Sequence, residues 1–295
     1  MTSVPPTYEH PGPPPSRPEL PAGAEPPPQP LLPTLGIPAW SPLVVVLAMF
    51  SVLLTAQIVV QIVAEATGAD GVEAVGTDAS TIGLTLVLDL SMVGCTLAVV
   101  AWLARRRPTA ADFGLRLVPW RAALGWTLAA YVTYLGLGSL AGLLLGQPEE
   151  QDIVAELKSE NSVLVVAGFA IMVCLFAPLA EEFFFRGFLF RVLRERFNIA
   201  VGVLATGAAF GLVHLPTGDW RGMIILGMFG VALCVLFLLT SSLLPCIMLH
   251  AFHNSITFGF TKELPWWGIL LLTIGGVMTT FLIARLAMRT WPARA

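Results

Sequence analysis

Charge is what this chain has least of. Asp, Glu, Lys and Arg make up 12% of its 295 residues, where a water-soluble domain carries about 25%, and only Lys158 and Lys262 are lysines. With a net charge of -3 there is no basic footprint for a nucleic acid, and that partner class is excluded. Cysteine is scarce as well. Cys95, Cys174, Cys234 and Cys246 all lie in apolar runs without CxxC or finger spacing, which excludes a disulfide framework or a thiolate metal site and leaves small buried hydrophobes. No basic segment followed by a short apolar one opens the chain, so a cleaved signal peptide is not expected. Equally missing are the period-two alternation of a membrane barrel, an internal repeat, and the matched broken helices of an inverted-repeat transporter.

Hydrophobicity is what fills the space: 56% of the residues are apolar and the mean hydropathy is +0.80. Stretches of about 20 apolar residues, the length that crosses a bilayer as a helix, fall near residues 42–64, 81–103, 122–145, 162–190, 199–215, 222–239, 244–260 and 266–288. The fold class is therefore all-α, a polytopic transmembrane helical bundle of about eight spans. The first 38 residues hold 14 of the 23 prolines and cannot form a packed core, so residues 1–38 are expected to be a disordered Pro-rich tail, either a solvated leader or a polyproline ligand for a partner. Residues 39–160 then carry spans one to three, 161–262 a core of spans four to seven, and 263–295 the last span with a short tail. Arginines follow spans two, four and eight (Arg105, Arg106, Arg107, Arg116, Arg121; Arg191, Arg194, Arg196; Arg285, Arg289, Arg294), whereas the loops after spans one and three are acidic. Positive residues favour the cytoplasm, which puts both termini there. Fourteen Arg against two Lys, with abundant Ala, Gly and Pro, suits a GC-rich bacterial genome and a bacterial plasma membrane.

Against that apolar background the ionisable residues inside spans stand out: Asp89, Glu181, Glu182, Arg186, His214, His250 and His253. A charge at the centre of a bilayer helix costs about 2.5 to 3.5 kcal/mol even on the lenient insertion scale, so such residues mark function or tight pairing. Glu182 and Arg186, four apart, share a helix face and can form an internal ion pair, leaving Glu181 about 100° round the helix without that partner. Pro178 cannot donate to the Cys174 carbonyl, so a kink is expected beside the free carboxylate, lining protein or a water-filled cavity. Phe210 and His214 are four apart on the fifth span, where Gly207 and Gly211 permit close helix contact. His250 and Asn254 share a face of the seventh span, with His253 about 60° to one side. Each cluster alone reads as an interhelical hydrogen bond, and Asp89 as a buried acid bonded between helices or paired with Arg186. Counted along straight helices, Glu181, His214 and His250 lie about 14, 22 and 9 Å deep, a scatter that tilt and the kink have to remove.

Glu181-Glu182-x-x-x-Arg186, then Phe210-x-x-x-His214, then His250-x-x-x-Asn254, in this order on separate spans, resembles the CPBP family of intramembrane endopeptidases, which includes CAAX prenyl-protein processing proteases and bacterial relatives linked to bacteriocin self-immunity. The resemblance implies that Glu181 and His214 activate a water molecule, that His250 and Asn254 stabilise the oxyanion, and that Glu182, Arg186 and Phe210 support the site. It also implies a hydrolase acting on a membrane-associated or lipid-modified peptide or protein. Because the family is commonly labelled metalloprotease, a divalent metal such as zinc on Glu181, His214 and His250 is expected beside a competing metal-free mechanism; no HExxH is present. A non-catalytic binding or immunity protein and a proton-coupled transporter are the competing classes. The chain end, "WPARA", is not a CAAX box.

Overall fold

The computed structural model describes residues 34–67, 77–215 and 218–291. All regular structure among them is helical: α1 (Ser41–Thr67), α2 (Thr77–Ala104), α3 (Trp120–Leu145), α4 (Asp152–Ser159), α5 (Val163–Ile171), α6 (Ala177–Phe184), α7 (Phe190–Arg196), α8 (Ile199–Leu212), α9 (Trp220–Thr240), α10 (Leu243–Thr261) and α11 (Trp266–Thr290). Seven segments are long and apolar enough to cross a membrane, one of them the composite Val163–Arg196 that contains α5, α6 and α7. The chain is an integral membrane protein.

The fifth expected span differs from the others. Its helix α8 has 14 residues and rises about 21 Å, short of the hydrocarbon thickness. It nonetheless runs antiparallel beside α9 for most of its length, because glycines let the backbones touch: a Cβ on Gly211 would overlap the Met223 carbonyl, and one on Gly230 would come 2.9 Å from the Phe210 Cβ. Close approach of this kind supplies the dispersion contact that replaces the hydrophobic effect between helices in lipid. Side-chain caps start the neighbouring helices: Asn198 accepts from the Val201 amide, Asp219 from Gly222 and Ser242 from Leu244.

Loops gather at two ends. At one, Leu35 and Gly36 donate their N–H groups to Glu195, Arg196 donates to the Ile37 carbonyl, Trp291 to the Pro108 carbonyl, and Ser242 to the Arg116 carbonyl. This is the arginine-rich end, where Arg106 forks onto the buried Asp112 at 2.6 and 2.9 Å and that bond holds the guanidinium above its ordinary proton affinity. At the other end Arg221 donates to the Leu145 carbonyl and Lys262 to the Leu157 and Glu160 carbonyls. The expected tail falls largely outside the described residues. Where the description begins, Leu35 and Ile37 are 3% and 2% exposed and belong to the core, because Glu195 supplies acceptors for the backbone of an otherwise extended strap.

Burial ranks the helices. In α10 61% of the membrane-spanning window is buried, in α11 only 11%; α10 is the central post and α11 faces lipid along most of its length. His250 and Asn254 of the third motif sit on α10, and Glu182 of the first is bonded to it.

Candidate active site

Two π-helical turns interrupt the composite span, Met172–Phe176 and Phe185–Leu189. The first lies just ahead of Pro178 and explains what the proline does. In the π register the Ala177 amide bonds back to the Met172 carbonyl, so the next carbonyl in line, that of Val173, would need an N–H from Pro178, which has none. Asn254 fills the vacancy, donating from Nδ2 to the Val173 carbonyl at 2.9 Å. The orphaned carbonyl is thus one residue earlier than the Cys174 group expected from an α-helical register, and α10 is tied to the kink through the third motif. An amide has two N–H donors, and this bond uses one of them.

The second motif residue of α6 is the centre of a buried network. Glu182 and Arg186 are both 0% exposed and pair at 2.7 Å, as the four-residue spacing requires. Arg186 also donates to the Gly230 carbonyl at 3.0 Å and lies 4.7 Å over the Phe210 ring. Glu182 Oε1 accepts a second bond from His250 Nδ1 at 2.8 Å. One carboxylate therefore joins α6 to α10, and through Arg186 to α8 and α9. This arrangement offsets much of the cost of burial, since each charge has a counter-charge and Arg186 reaches a second oxygen at Gly230, while Arg186 Nε and Glu182 Oε2 have no hydrogen-bond partner.

His214 follows the end of α8, with its ring 5.1 Å from that of Phe210. Its Nδ1 lies 2.7 Å from the Phe210 carbonyl. A carbonyl only accepts, so Nδ1 carries the proton and Nε2 carries the lone pair of the neutral ring. His250 also packs against Phe210, ring centres 5.8 Å apart. Arg186 of the first motif, His214 of the second and His250 of the third thus meet around the Phe210 ring.

Glu181 is placed as its helical angle demands, outside the Glu182 network. It is half-buried, and its Oε2 is a buried oxygen with no hydrogen-bond partner. Beside it, and in electrostatic contact with it, is Asp89 of α2, 4% exposed and likewise with an unpartnered Oδ2. The expected pairing of Asp89 with Arg186 does not form, because that guanidinium is committed to Glu182 and Gly230. Among the described residues no group of three or more His, Cys, Asp or Glu side chains is gathered as a metal site would gather them.

Sequence reasoning missed the partners of His253. Its Nδ1 is 3.3 Å from the Tyr131 hydroxyl, and its ring packs 4.7 Å from Phe229 and 5.5 Å from Tyr134. Nothing in the spacing of residues 131 and 253 announces a contact between α3 and α10.

No curated protein and no solved structure matches the chain. A family model does: residues 163–256, about a third of the chain and the part that holds all three motifs, match "Type II CAAX prenyl endopeptidase Rce1-like". From the start of α5 to within α10 the chain is accordingly similar to the Rce1-like type II CAAX prenyl endopeptidases, consistent with the CPBP family of intramembrane proteases.

Proposed function

We propose that the protein is an intramembrane peptidase that hydrolyses a peptide bond of a membrane-bound or lipid-modified chain, with Glu181 as general base. The observation that carries the proposal is the contrast between adjacent carboxylates: Glu182 is held through Oε1 in an ion pair with Arg186 and a hydrogen bond from His250, its Oε2 alone lacking a partner, whereas Glu181 enters no ion pair among the described residues and its buried Oε2 has no hydrogen-bond partner. A general base needs such an uncommitted oxygen within reach of water.

In the proposed sequence, water is held between Glu181 and the Nε2 lone pair of His214. Glu181 takes one of its protons as the oxygen adds to the scissile carbonyl carbon. The oxyanion so formed receives hydrogen bonds from the second N–H of Asn254 and from Nε2 of His250, which donates when the ring carries both protons, Nδ1 remaining on Glu182. Collapse breaks the C–N bond, and the proton on Glu181 passes to the leaving nitrogen. Each of these steps uses groups of this chain and water alone. The arginine-rich end faces the cytoplasm of a bacterial plasma membrane in this reading, and the name of the matched family makes a lipid-modified cysteine near the substrate's C-terminus the first substrate to try.

A comparison of protein termini in membranes from cells expressing the native protein or Glu181→Ala at matched levels tests the proposal. General-base removal costs about 10²- to 10⁴-fold, so termini generated by the native protein should vanish in the variant. Identical termini would favour a second reading, a proton relay or non-catalytic binder, for which the contact between Asp89 and Glu181 is the supporting observation.

A further inference from the structure

We propose that Tyr131 and His253 form a hydrogen-bonding subsite that receives a backbone amide of the substrate one or two residues from the cut; the proposal rests on the peptidase reading. Tyr131 is 11 residues into α3 and His253 10 residues into α10, about 15 to 17 Å from the arginine-rich end, near the middle of the bilayer. Both are half-buried, unlike Tyr134 and Phe229 behind them, which are 7% and 1% exposed. A hydroxyl and an imidazole turned toward hydrocarbon at that depth are costly, and such groups line an internal path or meet a polar ligand. Their mutual contact, 3.3 Å, is longer than the usual hydrogen bond to a hydroxyl and leaves each with capacity for another partner.

The walls select the ligand. Tyr131, Tyr134 and Phe229 surround the imidazole with ring faces and edges, and Phe252 packs edge-on against Tyr131; the Arg186 guanidinium is paired with Glu182 and bonded to Gly230. With no cation among the described residues in hydrogen-bond or ring contact with it, the pair suits a neutral group with both donor and acceptor. Phenol and neutral imidazole each donate and accept, which matches a peptide amide. The place along the substrate follows from spacing. His250 and His253 are three apart, about 5 to 6 Å on a helix face, with Phe229 in ring contact with both, and an extended peptide advances about 3.3 Å per residue.

The test uses the full-length protein in lipid vesicles and a synthetic peptide copying a Glu181-dependent cut site from the survey of termini. The peptide is made with all amides, and with the amide one or two residues from the cut replaced by an ester, which removes an N–H donor. We expect one ester form to show a KM about two- to ten-fold above that of the all-amide form in the native protein, the range of one neutral hydrogen bond. Tyr131→Phe and His253→Gln should each raise the all-amide KM by a similar factor, move kcat by less than about two-fold, and erase the amide–ester difference. Variants that keep the full difference, or lower kcat with KM unmoved, overturn the subsite while leaving the peptidase reading intact. If no Glu181-dependent cut site exists, the peptidase reading falls and the subsite with it.

Discussion

Replacing Arg186 with methionine isolates what the buried network is worth. The side chain is 0% exposed and makes three contacts that the thioether cannot: a 2.7 Å ion pair with Glu182, a 3.0 Å bond to the Gly230 carbonyl, and a 4.7 Å stack on Phe210. A charge-assisted hydrogen bond contributes about 1.5 to 3 kcal/mol and a buried carbonyl left without a donor costs about 1 to 3. The stack adds about 0.5 to 2. Relief of guanidinium desolvation offsets part of that total, and breaking buried pairs elsewhere costs about 3 to 5 kcal/mol, which is the loss expected here. Unfolding by SDS in mixed micelles, followed by circular dichroism, measures it. The double variant Glu182→Met with Arg186→Met removes both charges and should regain at least about 1 kcal/mol, limited by His250 Nδ1 losing its acceptor. A single variant that loses less than about 1 kcal/mol, or a double variant less stable than the single, would refute the network as the element joining α6, α9 and α10.

Other perturbations separate the remaining features. Asn254→Leu leaves the Val173 carbonyl without a donor and should destabilise by about 1 to 3 kcal/mol; combining it with Pro178→Ala, which restores a backbone N–H, should soften the loss in the same SDS titration. Gly211→Ala places a methyl group on the Met223 carbonyl and should cost about 1 to 3 kcal/mol by forcing α8 from α9, read as a lowered thermal midpoint. Outside the membrane, the Asp219 carboxyl is held below its ordinary value, first by the Gly222 N–H and also by Arg221. Its contribution is present above the unfolded carboxylate value and is lost as pH falls through the folded one, so acid titration of Asp219→Asn should show a flatter decline below about pH 4 than the native protein.

Much of the plan was legible because membrane spans write themselves as apolar length, and because helical spacing alone pairs Glu182 with Arg186 and sets Glu181 apart. Local departures from the α-helix were not legible. The register shift at Met172–Phe176 follows from no single residue, and with it the need for Asn254 at Val173 rather than at the Cys174 carbonyl stays hidden. The shortness of α8 is invisible in a run that stays apolar to Leu215, since hydropathy records burial in lipid but not where a helix ends. Contacts between distant spans, Asp89 with Glu181 and Tyr131 with His253, depend on which helices become neighbours, and one sequence carries no periodicity that encodes it.

The central claim, that Glu181 activates water for peptide hydrolysis, is tested most directly by cleaving an identified substrate peptide in heavy-oxygen water with the native protein and with Glu181→Gln. The account predicts one labelled oxygen in each newly formed carboxylate with the native protein, and at least about a hundred-fold slower product formation with the variant. Cleavage without label, or label incorporated at an undiminished rate by Glu181→Gln, would contradict it.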